Sequence, residues 1–450
     1  MKKVITYGTF DLFHEGHYRL LKRAKELGDY LIVGVTTENY DKSRGKLNVQ
    51  QSLIERIENV RKCGLADEII IEEYEGQKIE DIQKYNIDVF AIGSDWIGKF
   101  DYLKNYCDVV YLERTRGISS TELRNKYNGI VRLGLVGNGR IARRFVKESK
   151  YVSGVNIEGV FGRKISSLRK FVEENELEFF STNYEEFIEK VDAVYIATPH
   201  HTHYQYAKEA ILRGKHVLCE KPMVLSVKEA EELYILAKNN NCVLLEAIKT
   251  AYSPGFIRLV SLAKSGIIGE IKSIDATFTK LIDAEHCREL DPSQAGGSMT
   301  ELGSYLLLAF IKLLGRDIKE LRFYSYFDKE KNVDLFTKFN LLYPGAIATG
   351  KVGLGVKSEG DLIISGTKGY IYVPSPWWKT EYFEVRYEDS NMNKKYYYKF
   401  EGDGLRYELA EFLSLINKQD LQSYKLEEEE SIQIIRIIEK FMSRENVVYL

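Results

Sequence analysis

Apolar runs of strand length and segments of helical period alternate along the first part of the chain. The runs fall at 4–7, 30–35, 68–71, 89–92 and 109–112, with helical patterns such as 18–27 and 50–63 between them. That alternation predicts a parallel sheet with crossover helices. Asn128-Gly129 is a turn pair, and a fresh strand follows it at 131–136. A second α/β series then runs through 157–161, 193–197, 216–219 and 243–246. From about Thr250 the pattern changes to long strand-like segments at 271–279, 321–327, 335–342 and 346–354, and two helical patterns, 404–417 and 426–443, close the chain. The fold class is therefore α/β. It predicts a parallel-sheet Rossmann-like domain over 1–128, a second Rossmann domain over 129–250, and a C-terminal α+β domain with a large open sheet over 251–450.

Composition narrows the function classes. The 450 residues hold 64 Lys plus Arg against 66 Asp plus Glu. Such balance argues against a nucleic-acid partner, which needs a basic face. No run of 18 apolar residues occurs, so no membrane span is expected. The chain enters a strand at once, which predicts no signal peptide. Cys63, Cys107, Cys219, Cys242 and Cys287 are dispersed without metal spacing, as in a reduced cytoplasm.

The strand at 4–7 leads into Gly8-Thr-Phe-Asp-Leu-Phe-His-Glu-Gly-His17, with a helix expected to start near His17. A tight turn at a strand end carries two imidazoles to the carboxyl edge of the sheet, where ligands of open α/β folds bind. The adjacent helix start offers unpaired N–H groups to an anion. Two histidines there suit nucleotidyl transfer, because they can donate to a phosphoryl group as its charge grows. About a hundred residues on, Arg114-Thr115 and Arg116-Gly-Ile-Ser-Ser-Thr121 precede a helical stretch, 121–126. A cation, hydroxyls and a helix N-terminus suit a polyphosphate.

These strings, with Ile92-Gly-Ser-Asp-Trp-Ile-Gly-Lys-Phe-Asp101 and Val109-Val-Tyr-Leu-Glu-Arg-Thr115, resemble the cytidylyltransferase family over 1–127, above all its bacterial glycerol-3-phosphate cytidylyltransferases. The resemblance implies that His14 and His17 are catalytic and contact the CTP phosphates. It implies that Thr9, Phe10, Asp11, Lys46, Asp95, Trp96, Arg114, Thr115, Ile118, Ser119 and Thr121 bind the nucleotide. Mg²⁺ would accompany the triphosphate. Related enzymes carry a further arginine before the strand at 68–71, where this chain has Gly64. That departure leaves the acceptor phosphate open.

A second chemistry follows. Gly137-Asn-Gly-Arg-Ile-Ala142 lies between strand and helix. Glycines there let backbone approach a pyrophosphate. The next strand ends Val160-Phe-Gly-Arg-Lys164, two cations with no acid. Arg163 and Lys164 favour a 2′-phosphate, hence NADPH over NADH. Three histidines occur in Ala197-Thr-Pro-His-His-Thr-His203, but no carboxylate or cysteine completes a metal set at known spacing, so no metal is expected.

That stretch, His216-Val-Leu-Cys-Glu-Lys-Pro222 and Ala295-Gly-Gly-Ser-Met-Thr-Glu-Leu-Gly-Ser-Tyr305 resemble signatures of the Gfo/Idh/MocA oxidoreductases over 131–450. By that resemblance Gly137, Asn138, Gly139, Arg140, Ile141, Thr198, Pro199, His203, Glu220 and Lys221 join the cofactor site. Lys221 and Tyr305 would be catalytic, Tyr305 as proton donor to the reduced carbonyl. Glu301 stands where the family usually has Asp. Together the halves imply a bifunctional enzyme: a keto compound reduced to a polyol, then a polyol phosphate activated with CTP as a CDP-polyol for cell-wall or capsule polymers. A homo-oligomer, a dimer, is expected. The alternative is a working cytidylyltransferase joined to a non-catalytic oligomerisation or binding module.

Overall fold

A computed structural model describes residues 1–450 apart from 12, 38–39, 42–48, 50, 75, 114–129, 283–287 and the side chain of Asp95. The chain forms two compact units, one of 1–130 with 151–154, the other of 131–150 with 155–450.

The first unit is built on β1 (Lys3–Gly8), β2 (Tyr30–Thr36), β3 (Glu68–Glu72), β4 (Val89–Gly93) and β5 (Asp108–Leu112), all parallel in the order β3-β2-β1-β4-β5. Its strands are apolar on both sides because both faces are covered. Val4, Leu31, Val33 and Ala91 lie in one core. Ile5, Tyr7, Ile32 and Phe90 lie in the other. The strand order reverses between β1 and β4, which opens a crevice at their carboxyl ends. The first helix runs Glu15–Lys25, starting two residues earlier than the sequence predicts, because His14 serves as its N-cap. The helix Leu53–Lys62 starts on a Ser52/Glu55 capping box. Just after its end, Gly64 has φ +70°, a conformation that disfavours an arginine there.

The second unit carries a six-stranded parallel sheet of β6 (Val131–Val136), β7 (Val155–Phe161), β8 (Phe179–Ser181), β9 (Ala193–Ile196), β10 (His216–Glu220) and β11 (Leu244–Ala247), ordered β11-β10-β9-β6-β7-β8. Here the order reverses between β6 and β9. The same unit holds a nine-stranded mixed sheet, β19-β18-β17-β16-β12-β15-β14-β13-β20. Its strands are β12 (Ile271–Thr279), β13 (Glu320–Phe327), β14 (Asp334–Tyr343), β15 (Ala346–Gly353), β16 (Leu362–Gly366), β17 (Tyr370–Val373), β18 (Tyr382–Arg386), β19 (Lys394–Tyr397) and β20 (Val447–Tyr449). The sequence pattern missed β8 and β16 to β20. They are short, and β19 is nearly all lysine and tyrosine, with no apolar alternation to read.

The helix Ser298–Leu314 packs on β12, β14 and β15. It is buried almost all round, which its apolar composition requires. Gly303 lies inside this helix. The helices Arg140–Ser149 and Leu405–Lys418 are joined by a buried bidentate pair in which Arg406 donates to Glu148 at 2.9 and 3.1 Å. Among the described residues no helix is long and apolar enough to cross a membrane.

Candidate active sites

At the first crevice, β1 ends in Gly8 and the chain turns through Phe10, whose φ is +52°. Phe10 is buried in the core and meets the His17 ring edge-on at 5.4 Å, so it backs the histidine. His14 and His17 stack with ring centroids 3.9 Å apart. Both also close the helix end. His14 Nδ1 accepts from the Gly16 N–H at 3.1 Å, and His17 Nδ1 lies 3.4 Å from the His14 N–H. With Nδ1 accepting, a neutral ring carries its proton on Nε2 and presents that atom as a donor.

The turn is held by Arg56, fully buried, which donates to the carbonyls of Thr9 and Thr36 at 2.8 Å each and pairs with Asp41 at 3.4 Å. Thr9 Oγ1 donates to Asp41 at 2.9 Å, and Asp11 accepts from the Gln51 N–H at 2.9 Å. These two polar side chains hold neighbouring segments to the turn. A cavity of about 70 Å³ adjoins it, lined by Tyr7, Gly8, Thr9, Lys78, Ile92 and Trp96 with Phe100. Lys78 was not singled out in the sequence. It is buried, paired with Glu72, and stands 4.6 Å over the Tyr7 ring. Lys46, Arg114, Thr115, Ile118, Ser119, Thr121 and the Asp95 side chain lie outside the described residues.

The second unit has a cavity of about 860 Å³ at the reversal between β6 and β9. Gly137 has φ +105°, and a Cβ there would stand 2.7 Å from the Ala197 carbonyl. Only glycine lets β6 and β9 approach so closely at the turn. Gly139 caps the helix Arg140–Ser149, whose N-terminus faces this cavity with Asn138 and Ile141. Such a turn and helix start fit a dinucleotide pyrophosphate. Arg163 lines the cavity with Thr198 and Pro199, whereas Lys164 is not among its lining residues and caps the helix Ile165–Asn175.

His203 is fully buried between the carbonyls of Thr198 at 2.9 Å and Pro222 at 3.1 Å. Burial pulls its pKa down to about 3 against the pull of the two carbonyls, and the ring fastens the Thr198–Pro199 turn beside Lys221. Glu220 is half-buried and accepts from the Tyr195 hydroxyl at 2.6 Å, and desolvation raises its pKa.

The far wall gathers Lys221, His200, Arg288, Glu301 and Tyr305. Lys221 Nζ donates to the Glu301 carbonyl at 2.6 Å, lies 3.9 Å from its carboxylate, and sits 5.7 Å from the Tyr305 ring centroid. Glu301 is 3.0 Å from His200 Nε2 and 2.9 Å from Arg288. Burial works to raise the Glu301 pKa, but the His200 hydrogen bond and the Lys221 and Arg288 charges outweigh it and hold it well below the usual carboxylate range. Burial lowers the His200 pKa. It raises that of Tyr305 well above the usual range, aided by the charges of Glu220, Glu408 and Glu301. Tyr305 therefore keeps its proton at neutral pH.

His200 and Arg288 escaped sequence reading. His200 was visible in the histidine string, but its carboxylate partner is 101 residues away. Arg288 belongs to no motif. Among the described residues no group of three His, Cys, Asp or Glu could hold a metal ion.

Comparison with known proteins finds a different set of relatives for each unit. A family model described as cytidylyltransferase-like matches 5–126. One described as oxidoreductase family, NAD-binding Rossmann fold, matches 131–247, and the GFO/IDH/MocA C-terminal domain matches 256–372. The chain is 55% identical over 124 residues to glycerol-3-phosphate cytidylyltransferase of Bacillus spizizenii, covering 28% of this chain and 95% of that one. It is 27% identical over 333 residues to scyllo-inositol 2-dehydrogenase (NADP(+)) of Bacillus subtilis, covering 71% of this chain and 98% of that one. A 3-ketoreductase from Actinomadura kijaniata, solved with NADP and TDP-benzene, shares the fold of the second unit with TM-score 0.65 at 20% identity, over 71% of this chain and 99% of that one.

Fold and sites thus define an enzyme of two activities, a nucleotidyltransferase followed by an NAD(P)-dependent oxidoreductase. The chain belongs to the cytidylyltransferase-like family through its first part and to the Gfo/Idh/MocA oxidoreductase family through the rest.

Proposed function

We propose that the first unit joins CTP to a polyol phosphate, with glycerol 3-phosphate or a close relative as acceptor, and releases pyrophosphate. An acceptor phosphate oxygen attacks the α-phosphorus of CTP, and the bond to the bridging oxygen of the pyrophosphate breaks. The stacked His14 and His17 carry this reading: they stand where β1 meets a helix, and their Nε2–H groups donate to the phosphoryl oxygens as charge builds. The buried Lys78 adds a cation at the adjoining cavity. Mg²⁺ would neutralise the triphosphate.

The second unit reduces a keto compound to the alcohol, supplying the polyol that the first unit activates. NADPH, when bound, supplies the hydride, and Arg163 selects its 2′-phosphate. Tyr305 gives the carbonyl oxygen its proton, and Lys221 stabilises the oxyanion as it forms. The products are CDP-polyols of the kind that feed cell-wall or capsule polymers.

Purified protein should release pyrophosphate from CTP only with a polyol phosphate present, and should oxidise NADPH only with a keto compound present. Pyrophosphate release without an acceptor, or with none of a polyol phosphate panel, would contradict the first assignment. No NADPH oxidation with any keto compound would contradict the second.

A further inference from the structure

Among the described residues, the cavity of the second unit is lined by more cations than acids. Glu289 is matched by Arg140 at 2.6 Å, and Glu301 by Arg288 at 2.9 Å. Glu220 is held by the Tyr195 hydroxyl, and burial favours its neutral form. Lys249 and Lys280 also line the cavity, and among the described residues neither forms an ion pair or a side-chain hydrogen bond. Arg288 Nη1 is buried without a hydrogen-bond partner. A buried donor is normally satisfied, and one left unmet in a cavity marks a place for a ligand.

The two lysines sit on the substrate wall beside the proposed proton donor. Lys280 follows Thr279, the last residue of β12, two positions after Phe278 and so on the same face of the chain. Phe278 packs on Tyr305 with centroids 5.2 Å apart and stacks on Trp378 at 3.5 Å. The Trp378 carbonyl accepts from the hydroxyl of Thr250, the neighbour of Lys249, at 2.8 Å. Lys249 is half-buried in a short turn after β11, and burial lowers its pKa, with Asp403, Glu408 and Glu220 opposing that fall. Lys379 adds a like charge on the Lys249 side. Lys249 thus lies in the field of carboxylates but forms no ion pair among the described residues, so an incoming anion can pair with it directly. Arg163 cannot supply this role, because it stands at the end of β7 on the cofactor side.

We infer that the keto substrate of the second unit carries a phosphate, which Lys249 and Lys280 bind while the carbonyl faces Tyr305 and Lys221. This rests on the proposed carbonyl reduction and adds its substrate class. With a phosphate monoester, the reduced product leaves already bearing the phosphate that the first unit joins to a cytidylyl group. The reaction balances as ketose phosphate plus NADPH plus a proton giving polyol phosphate plus NADP⁺. A phosphate monoester and a CDP ester of the same ketose share this chemistry.

The test uses the full chain at saturating NADPH with dihydroxyacetone phosphate and a panel of other ketose phosphates, the matching free ketoses, and the CDP esters of the same ketoses. A phosphate-bearing form should be reduced with kcat/KM at least ~10-fold above its free ketose, the scale of one charge-assisted contact. Lys249→Met and Lys280→Met should each cut that ratio by roughly 10-fold or more. Inorganic phosphate should compete with the ketose phosphate, and more weakly in both variants. Lys280 is exposed, so Lys280→Met reports even if Lys249→Met does not fold. Preference for the monoester or for the CDP ester identifies which bearer of the phosphate is used. Free ketoses reduced as well as their phosphates, or a ratio unchanged in Lys280→Met, would overturn the inference and leave carbonyl reduction standing. Reduction of no ketose in any form would overturn both.

Discussion

Lys221 donates to the main-chain carbonyl of Glu301 at 2.6 Å and stands 3.9 Å from its carboxylate. One acidic residue therefore positions the lysine through its backbone and, through its side chain, gathers His200 and Arg288. The helix Ser298–Leu314 is buried almost all round, and Arg288 meets the glutamate carboxylate at 2.9 Å.

Glu301→Gln keeps the shape and removes the charge. Carbonyl reduction should fall by roughly 10- to 100-fold, the scale of a lost charge-assisted contact, with cofactor affinity little changed. Stability should fall by about 3 kcal/mol at pH 7, the scale of a broken buried pair. The sign of the pH dependence follows from the depressed folded pKa. The carboxylate's contribution is complete above its unfolded value of about 4.3 and is lost as pH falls through its folded value. Thermal melts of parent and variant should therefore converge in strong acid. A gap that widened as pH fell would refute this role for the carboxylate.

Arg163 faces the cavity and Lys164 does not. Arg163→Ala should narrow the preference for NADPH over NADH in calorimetric titrations, whereas Lys164→Ala should change it much less. Equal effects of the two, or a parent that prefers NADH, would remove the 2′-phosphate assignment.

The strands nearest the two sites were legible in the sequence because a sheet covered on both faces needs unbroken apolar runs, as β1, β2, β6 and β9 have. The half-open mixed sheet was legible only in its long central strands. His14, His17, Lys221 and Tyr305 sit in recognisable strings. His200, Arg288 and Lys249 could not be read, because each acquires its setting from chain crossings rather than from neighbours in sequence. Lys164 shows the converse: next to Arg163 in sequence, it becomes the N-cap of a helix instead of lining the cavity.

Tyr305→Phe removes one hydroxyl and keeps the ring against Phe278. A proton donor predicts a loss of roughly 10²–10⁴-fold in turnover with unchanged NADPH affinity. Near-normal turnover would make Tyr305 a packing residue and leave Lys221 as the donor.

The two activities should separate by mutation. His17→Ala should lower pyrophosphate release by at least ~100-fold, the cost of one transition-state donor, and leave NADPH oxidation intact. Lys221→Ala should do the reverse. Each unit has its own sheet, core and crevice, so loss of both activities from one substitution in a folded protein would mean a shared site.

The most direct measurement gives the intact protein CTP, Mg²⁺, NADPH and a ketose phosphate together and follows the products by mass spectrometry. A CDP-polyol carrying the two extra hydrogens of reduction should accumulate. It should carry one deuterium when NADPH is replaced by the cofactor deuterated at the transferred position. A CDP product without that label, or no CDP product beside continuing NADPH oxidation, would contradict an enzyme that makes and activates a polyol in one chain.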